Sequence, residues 1–189
     1  MKMAGAKDRR VSRTRSRLTV ALRGLIQQKP LREITVQDVL DAAGVSRSTF
    51  YAHFEDTEDL FLTDVDEFLQ HMANCLSKAG DKSERLVAVR EFFAHVGEAK
   101  SMQLALARSD RLADFFDLAT EHFARGIERR LGELPRSRAL SASERQALAQ
   151  ALAGALIAQL RWWIARKHRP SPEQMDEWFH RFAWAGIAK

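Results

Sequence analysis

The chain has 189 residues with 46% hydrophobic residues, nine glycines and four prolines; this excludes a disordered or collagen-like polypeptide and leaves room for one compact fold, or a small module on a larger core. The longest apolar run, Ala151 to Ala158, is far short of the roughly 20 residues that cross a bilayer. The net charge of +5 is uneven: residues 1–54 hold eleven Lys and Arg against four Asp and Glu, while the remainder is slightly acidic, which suggests a basic module for a polyanion on a body with another task.

The amino terminus is basic where an export signal needs an apolar stretch, and the lone Cys75 cannot close an intramolecular disulfide. Both point to a reducing, cytoplasmic location without a membrane.

Helical periodicity recurs almost throughout, and no segment alternates with period two, so nine helices and no sheet are expected. The first runs from about Ser12 to Gln28, with Leu18, Ala21, Leu22, Leu25 and Ile26 on one face, and Pro30 forbids its continuation. Thr35 caps a helix from Val36 to Ala43, with Asp38 completing a capping box. Gly44 breaks it, and Ser46 caps a third helix through about Phe54. Asp56 caps a long fourth helix that ends near Gly80. Segments at about Ser83–Ala99, Ser101–Ala107 and Arg111–Leu134 follow, the last closed by Pro135. Ser141 and Glu144 open an eighth helix that runs to about His168, and Ser171-Pro172-Glu173-Gln174 starts a ninth to about Ile187.

The informative stretch is Thr35 to Phe54. Val36, Val39, Leu40 and Ala43 form one apolar face, and Val45, Phe50 and Phe54 form another. Gly44 lies between them, where a tight reversal suits glycine. Two short helices joined by so brief a turn make a helix-turn-helix, whose second helix fits a major groove. With the apolar residues turned inward, Arg47, Ser48, Thr49, Tyr51 and His53 face outward and can bond base edges or phosphates. Arg47 suits bidentate recognition of guanine. Amides at the starts of both helices, at Thr35 and Ser46, add phosphate donors. Lys7, Arg9, Arg10, Arg13, Arg15 and Arg17 form a basic arm that can follow the sugar–phosphate backbone or enter a minor groove.

Residues from about Arg13 to Leu62 resemble the amino-terminal domain of TetR-family transcriptional regulators. The resemblance rests on ITVQDVLDAAGVSRSTFYAHFEDTEDLF, including Ala43-Gly44-Val45-Ser46 and Phe50-Tyr51-Ala52-His53-Phe54. It implies an all-α fold, with a helix-turn-helix domain over 1–55 and a helical effector-binding and dimerisation domain over 56–189. It further implies a homodimeric, ligand-responsive regulator, usually a repressor, on double-stranded DNA. Members commonly carry a lysine on a phosphate at the start of the fourth helix. This chain has Thr57 there, which can donate a hydrogen bond but lacks the charge.

The eighth helix carries two apolar sides. Ala147, Ala151, Gly154, Ala158 and Ala165 fall on one, and Leu148, Leu152, Leu156 and Trp163 on another. Two such sides imply neighbours on both. The ninth helix offers Met175, Trp178, Phe179 and Phe182. A dimer contact that includes Trp162 is therefore expected on these two helices, and the two-fold axis then requires a palindromic operator. An apolar effector pocket, which the resemblance suggests, is expected to draw on Phe92, Phe93, Met102, Phe115, Phe116, Phe123 and Trp162, although these are also ordinary core types.

No cofactor or metal is expected. Glu177/His180, Glu67/His71 and Glu91/His95 are isolated pairs, and no glycine-rich phosphate loop or nucleophile motif is present. Asp114, Asp117 and Glu121 suit a solvated acidic face, and Cys75 a packed position. Two other functions are weighed: the same fold answering a protein partner, as in nucleoid-associated factors, and an all-helical enzyme, which the lack of a catalytic constellation disfavours.

Overall fold

The computed structural model describes residues 4–100, 103, 105 and 112–187, with side chains of the first helix described from Val11 onward. Among these residues there are eight α-helices, two short 3₁₀ turns and no strand. Of the expected helix at Ser101–Ala107 only Gln103 and Ala105 are described, both helical, and Met102 lies outside the described residues. The helices are α1 (Ala4–Ile26), α2 (Val36–Ala43), α3 (Arg47–Tyr51), α4 (Thr57–Lys78), α5 (Val89–Glu98), α6 (Leu112–Glu133), α7 (Ala142–Ile164) and α8 (Pro172–Ile187). No described helix is long and apolar enough to cross a membrane.

The chain forms two compact units. The first holds the described residues among 1–65 and 100–112, the second those among 66–99 and 113–189, and the division falls within α4 between Val65 and Asp66.

In the first unit, Leu18, Leu22 and Ile26 recur one turn apart on α1 and are buried. The helix begins at Ala4, earlier than the expected Ser12. Its first turns are rich in Ala, Lys and Arg, which hold a helix by propensity without an apolar stripe to mark it. After Pro30 a 3₁₀ turn, Leu31–Glu33, puts Leu31 and Ile34 into the core. Asp64 of α4 is also buried, and it takes both Nε (2.8 Å) and a terminal nitrogen (2.7 Å) of Arg23. This bidentate bond joins α1 to the first turns of α4.

The second unit packs the remainder of α4 with α5 to α8. Its core includes Leu69, Met72, Phe92, Phe93, Phe123, Ile127, Leu156 and Phe179. Residues 83–88, expected to be helical, are instead irregular, and α5 starts at Val89. The cause is Arg130, 4% exposed. Its guanidinium donates to the carbonyls of Asp81 (2.7 Å), Ser83 (2.7 Å) and Arg85 (3.0 Å), the last two of which a helix from Ser83 would have used internally. Gly126 permits α6 to lie against α4, because a Cβ there would collide with the Ala73 carbonyl. At the end of α7, Arg169 donates to the Ile164 carbonyl (3.0 Å) and covers the Trp163 ring, so the helix stops at Ile164 and not at His168.

Candidate nucleic-acid interface

Local capping chemistry builds the two helices of the motif. The Thr35 hydroxyl accepts from the Asp38 amide, and the Asp38 carboxylate accepts from the Thr35 amide (2.7 Å). Lys29 Nζ also donates to Asp38 (2.8 Å). Hydrogen bonds from Lys29 and then Thr35 hold this carboxyl well below the usual carboxylate range. Gly44 ends α2 in the left-handed region (φ 61°), and its amide donates to the Leu40 carbonyl (2.8 Å). Ser46 then caps α3 by accepting from the Thr49 amide. Val39, Leu40, Ala43, Phe50 and Phe54 are buried beneath the motif, with the Phe50 and Phe54 rings 5.9 Å apart.

α3 is only five residues long, but helix-type bonds from Ala52 to Ser48 and from Phe54 to Phe50 carry the turn to Phe54. With Phe50 fully buried, Arg47, Ser48 and Tyr51 stand exposed, Tyr51 at 51%, while Thr49 and His53 are half-buried. Of the five residues expected to face outward, Arg47, Ser48 and Tyr51 are thus exposed and Thr49 and His53 only partly so. Arg47 also donates to Gln37 Oε1 (2.9 Å), and the Gln37 amide donates to Asp41 (2.8 Å). Neither Gln37 nor Asp41 was expected at the site. Only the folded turn brings them to Arg47.

Several polar residues expected on the surface are engaged within the unit. Thr35 is bound in its capping box, and the Ser46 hydroxyl meets those of Ser48 (3.1 Å) and Thr49 (2.8 Å). Thr57 donates to the Ile34 carbonyl (3.4 Å), so its hydroxyl is directed inward rather than offered to a phosphate. Arg17, expected in the arm, donates to the carbonyls of Ala43 (2.5 Å) and Gly44 (3.1 Å) and neutralises the end of α2. Arg15 lies over the Phe54 ring at 5.2 Å. Arg13 is exposed, and the side chains of Lys7, Arg9 and Arg10 lie outside the described residues.

In the second unit the stripe of Ala147, Ala151, Gly154 and Ala158 is exposed along α7, and Trp162 continues it at 43% exposure. Leu152, Leu156 and Trp163 on the other side are buried. On α8, Trp178 and Phe182 are exposed (37% and 59%), but Met175 and Phe179 are buried in the core of their own chain. This corrects their assignment to a dimer surface: the α8 face carrying them is turned inward. Phe92, Phe93 and Phe123 are fully buried and pack ring against ring at 4.8–6.0 Å. Phe115 sits edge-on to Phe116, which lies under the Arg161 guanidinium. Trp162 is on the outer face, under Arg166, and so does not share the burial of these phenylalanines.

Charged side chains of this unit form a network that sequence spacing did not reveal. Arg85 binds Glu91 (2.5 Å) and Asp176 (2.6 Å). Burial raises the Asp176 carboxyl, but hydrogen bonds from His180 and Arg85 prevail and hold it at about 2. The Arg85 bond holds Glu91 at about 2. His180 Nε2 accepts from the Leu86 amide (3.0 Å). The described residues contain no cluster suited to a metal ion, and burial pushes the Cys75 thiol up, away from the reactive thiolate.

Residues 18–63 match the family described as bacterial regulatory proteins, tetR family. A curated relative, the HTH-type transcriptional regulator EthR of Mycobacterium tuberculosis, is 29% identical over 103 residues, or 49% of this chain and 48% of that protein. The chain thus spans about half the length of the curated relatives it matches. The solved TetR family repressor AlkX from a Dietzia strain is similar over 90% of this chain and 96% of its own, with TM-score 0.66 and 18% identity. RolR in complex with resorcinol is similar over 95% and 89%, with TM-score 0.63 and 15% identity. Both share the fold. The family match over residues 18–63 spans the capped helix pair and its buried anchors, so this part of the chain is similar to the tetR family of bacterial regulatory proteins.

Proposed function

We propose that the chain is a homodimeric transcriptional regulator, a repressor, that binds a palindromic operator in duplex DNA and is released by a small apolar effector. It works by binding, without catalysis, in the cytoplasm. The observation that carries this reading is the exposed row of Arg47, Ser48 and Tyr51 above a buried Phe50. Such a row can lie in a major groove, while Arg13, with Arg15, supplies sequence-independent attraction to phosphates. Thr49 and His53 flank it as secondary base or phosphate contacts. Selecting from random duplexes should enrich a two-fold symmetric sequence whose half-sites lie about one duplex turn, or a near multiple, apart, at roughly 34–36 Å per turn. Failure to enrich any sequence would overturn the reading.

The second copy docks on the exposed stripe of α7, from Ala147 to Trp162, and on Trp178 and Phe182 of α8. Small side chains permit close approach of a partner helix, and the exposed aromatic rings supply anchors. Ala158→Arg should therefore give monomers by sedimentation and lose affinity for the symmetric duplex. A dimer of unchanged stability would remove this surface from the interface. Similarity to an AlkX described as a repressor supports the sign of regulation, and similarity to RolR with resorcinol supports a small effector. We place that effector against the aromatic residues of α5 and α6. By linkage, it weakens DNA binding only as far as it prefers the non-binding form.

A further inference from the structure

We infer that Gln37 and Asp41, two exposed residues of α2, form a relay that holds Arg47 in its base-reading orientation and thereby sets how sharply the chain discriminates one base pair. The inference rests on Arg47 reading a base. Asp41 as a carboxylate only accepts hydrogen bonds, whereas the Gln37 amide has one accepting and one donating end. Because the Gln37 amide nitrogen donates to Asp41 (2.8 Å), its oxygen faces Arg47 and accepts from it (2.9 Å). The flipped amide would set oxygen against carboxylate and nitrogen against guanidinium, so Asp41 fixes the orientation of Gln37 and Gln37 fixes that of Arg47. One of the five guanidinium N–H donors is occupied, and the others remain for the paired acceptors of guanine.

All three residues are exposed, so the two bonds contribute little to folding. Their effect is to order a long side chain before DNA arrives. Ordering such a side chain costs about 0.5–1.5 kcal/mol at an interface, equivalent to roughly 2- to 13-fold in affinity. The relay removes that cost from the specific complex, while complexes that never use the Arg47 contact gain nothing. It is therefore a positioning device for discrimination rather than for overall affinity.

The test uses the full chain and a duplex enriched from a random pool, together with copies altered at the base pair that Arg47→Ala ceases to distinguish. Gln37→Met should lower discrimination at that base pair by roughly fivefold and leave the salt dependence as in the parent. In an Arg47→Ala background it should change nothing further at that position. Asp41→Asn should act in the same direction, more weakly. The combined Gln37→Glu, Asp41→Asn variant reverses the donor and acceptor between the two α2 residues but still presents an acceptor to Arg47, so it should restore discrimination.

The relay is overturned if Gln37→Met leaves discrimination at the parental value or increases it. It is also overturned if the loss falls on a different base pair or on all duplexes equally, since Gln37 would then touch DNA itself. If Arg47→Ala alters no base preference, base reading by Arg47 fails and the relay fails with it. If only the Gln37 variants are silent, the relay alone fails.

Discussion

Two regions, the helix-turn-helix caps of the first unit and the arginine-centred bonds of the second, satisfy polar groups over very different distances along the chain. In the first, Thr35 bonds Asp38 and Ser46 bonds Thr49, three residues apart and in contact with water. In the second, the buried Arg130 bonds carbonyls 45 to 49 residues away, and Arg85 bonds Asp176 at a separation of 91. Short-range capping keeps side chains near the surface, where a second molecule can reach them. Long-range bonding draws charge inward and fixes the course of a loop. The difference teaches that the caps that start α2 and α3 are local chemistry, while the course of the loop at residues 81–85 depends on contacts that exist only once the chain has folded.

Mutations should expose that contrast, and the largest effect belongs to Arg130. Arg130→Met leaves three carbonyls near Asp81, Ser83 and Arg85 without their donor, and should cost about 3–5 kcal/mol in urea unfolding. A loss below about 1 kcal/mol would mean that the loop does not rely on it. Gly126→Ala comes next. It drives a methyl into the Ala73 carbonyl, and moving backbone apart costs about 1–3 kcal/mol, readable as a lower melting temperature.

Acid should act next, on the charged network of the second unit. Glu91 and Asp176 are held at about 2 in the folded chain, below their ordinary values of 4.5 and 3.8. The unfolded chain therefore takes up protons first as the pH falls. The stability they contribute is present above their ordinary values and is lost as the pH drops from about 5 through 2. Asp176→Asn should flatten that part of the profile, and an unaltered acid limb would count against the Arg85 network.

The smallest effect is expected from Thr35→Ala. Loss of one exposed cap should cost about 1 kcal/mol, with faster amide exchange confined to the first turn of α2. Exchange that quickened equally in the second unit would contradict the local character of the cap.

This contrast also explains what could be read from residues alone. The caps at Thr35, Ser46, Ser141 and Ser171 are visible in sequence because each partner lies three residues on. The outward row of α3 follows from the placement of Phe50 and Phe54 at helical spacing. Nothing near Ser83 signals that a side chain from α6 will take its carbonyl. Nor does Arg17 differ in kind from Arg13 before α2 arrives beneath it. Met175 and Phe179 were misplaced for a related reason: α8 carries apolar residues on adjoining faces, and only packing against α5 decides which face turns inward.

The central claim is that the exposed side of α3 reads duplex DNA. The most direct test compares Arg47→Ala with the parent by equilibrium binding to an enriched duplex and to single base-pair variants of it. The account predicts that discrimination at one base pair falls by roughly 1–3 kcal/mol, while attraction to unrelated duplexes in dilute salt persists. If the variant ranks every duplex as the parent does and binds each equally well, the surface has been misassigned.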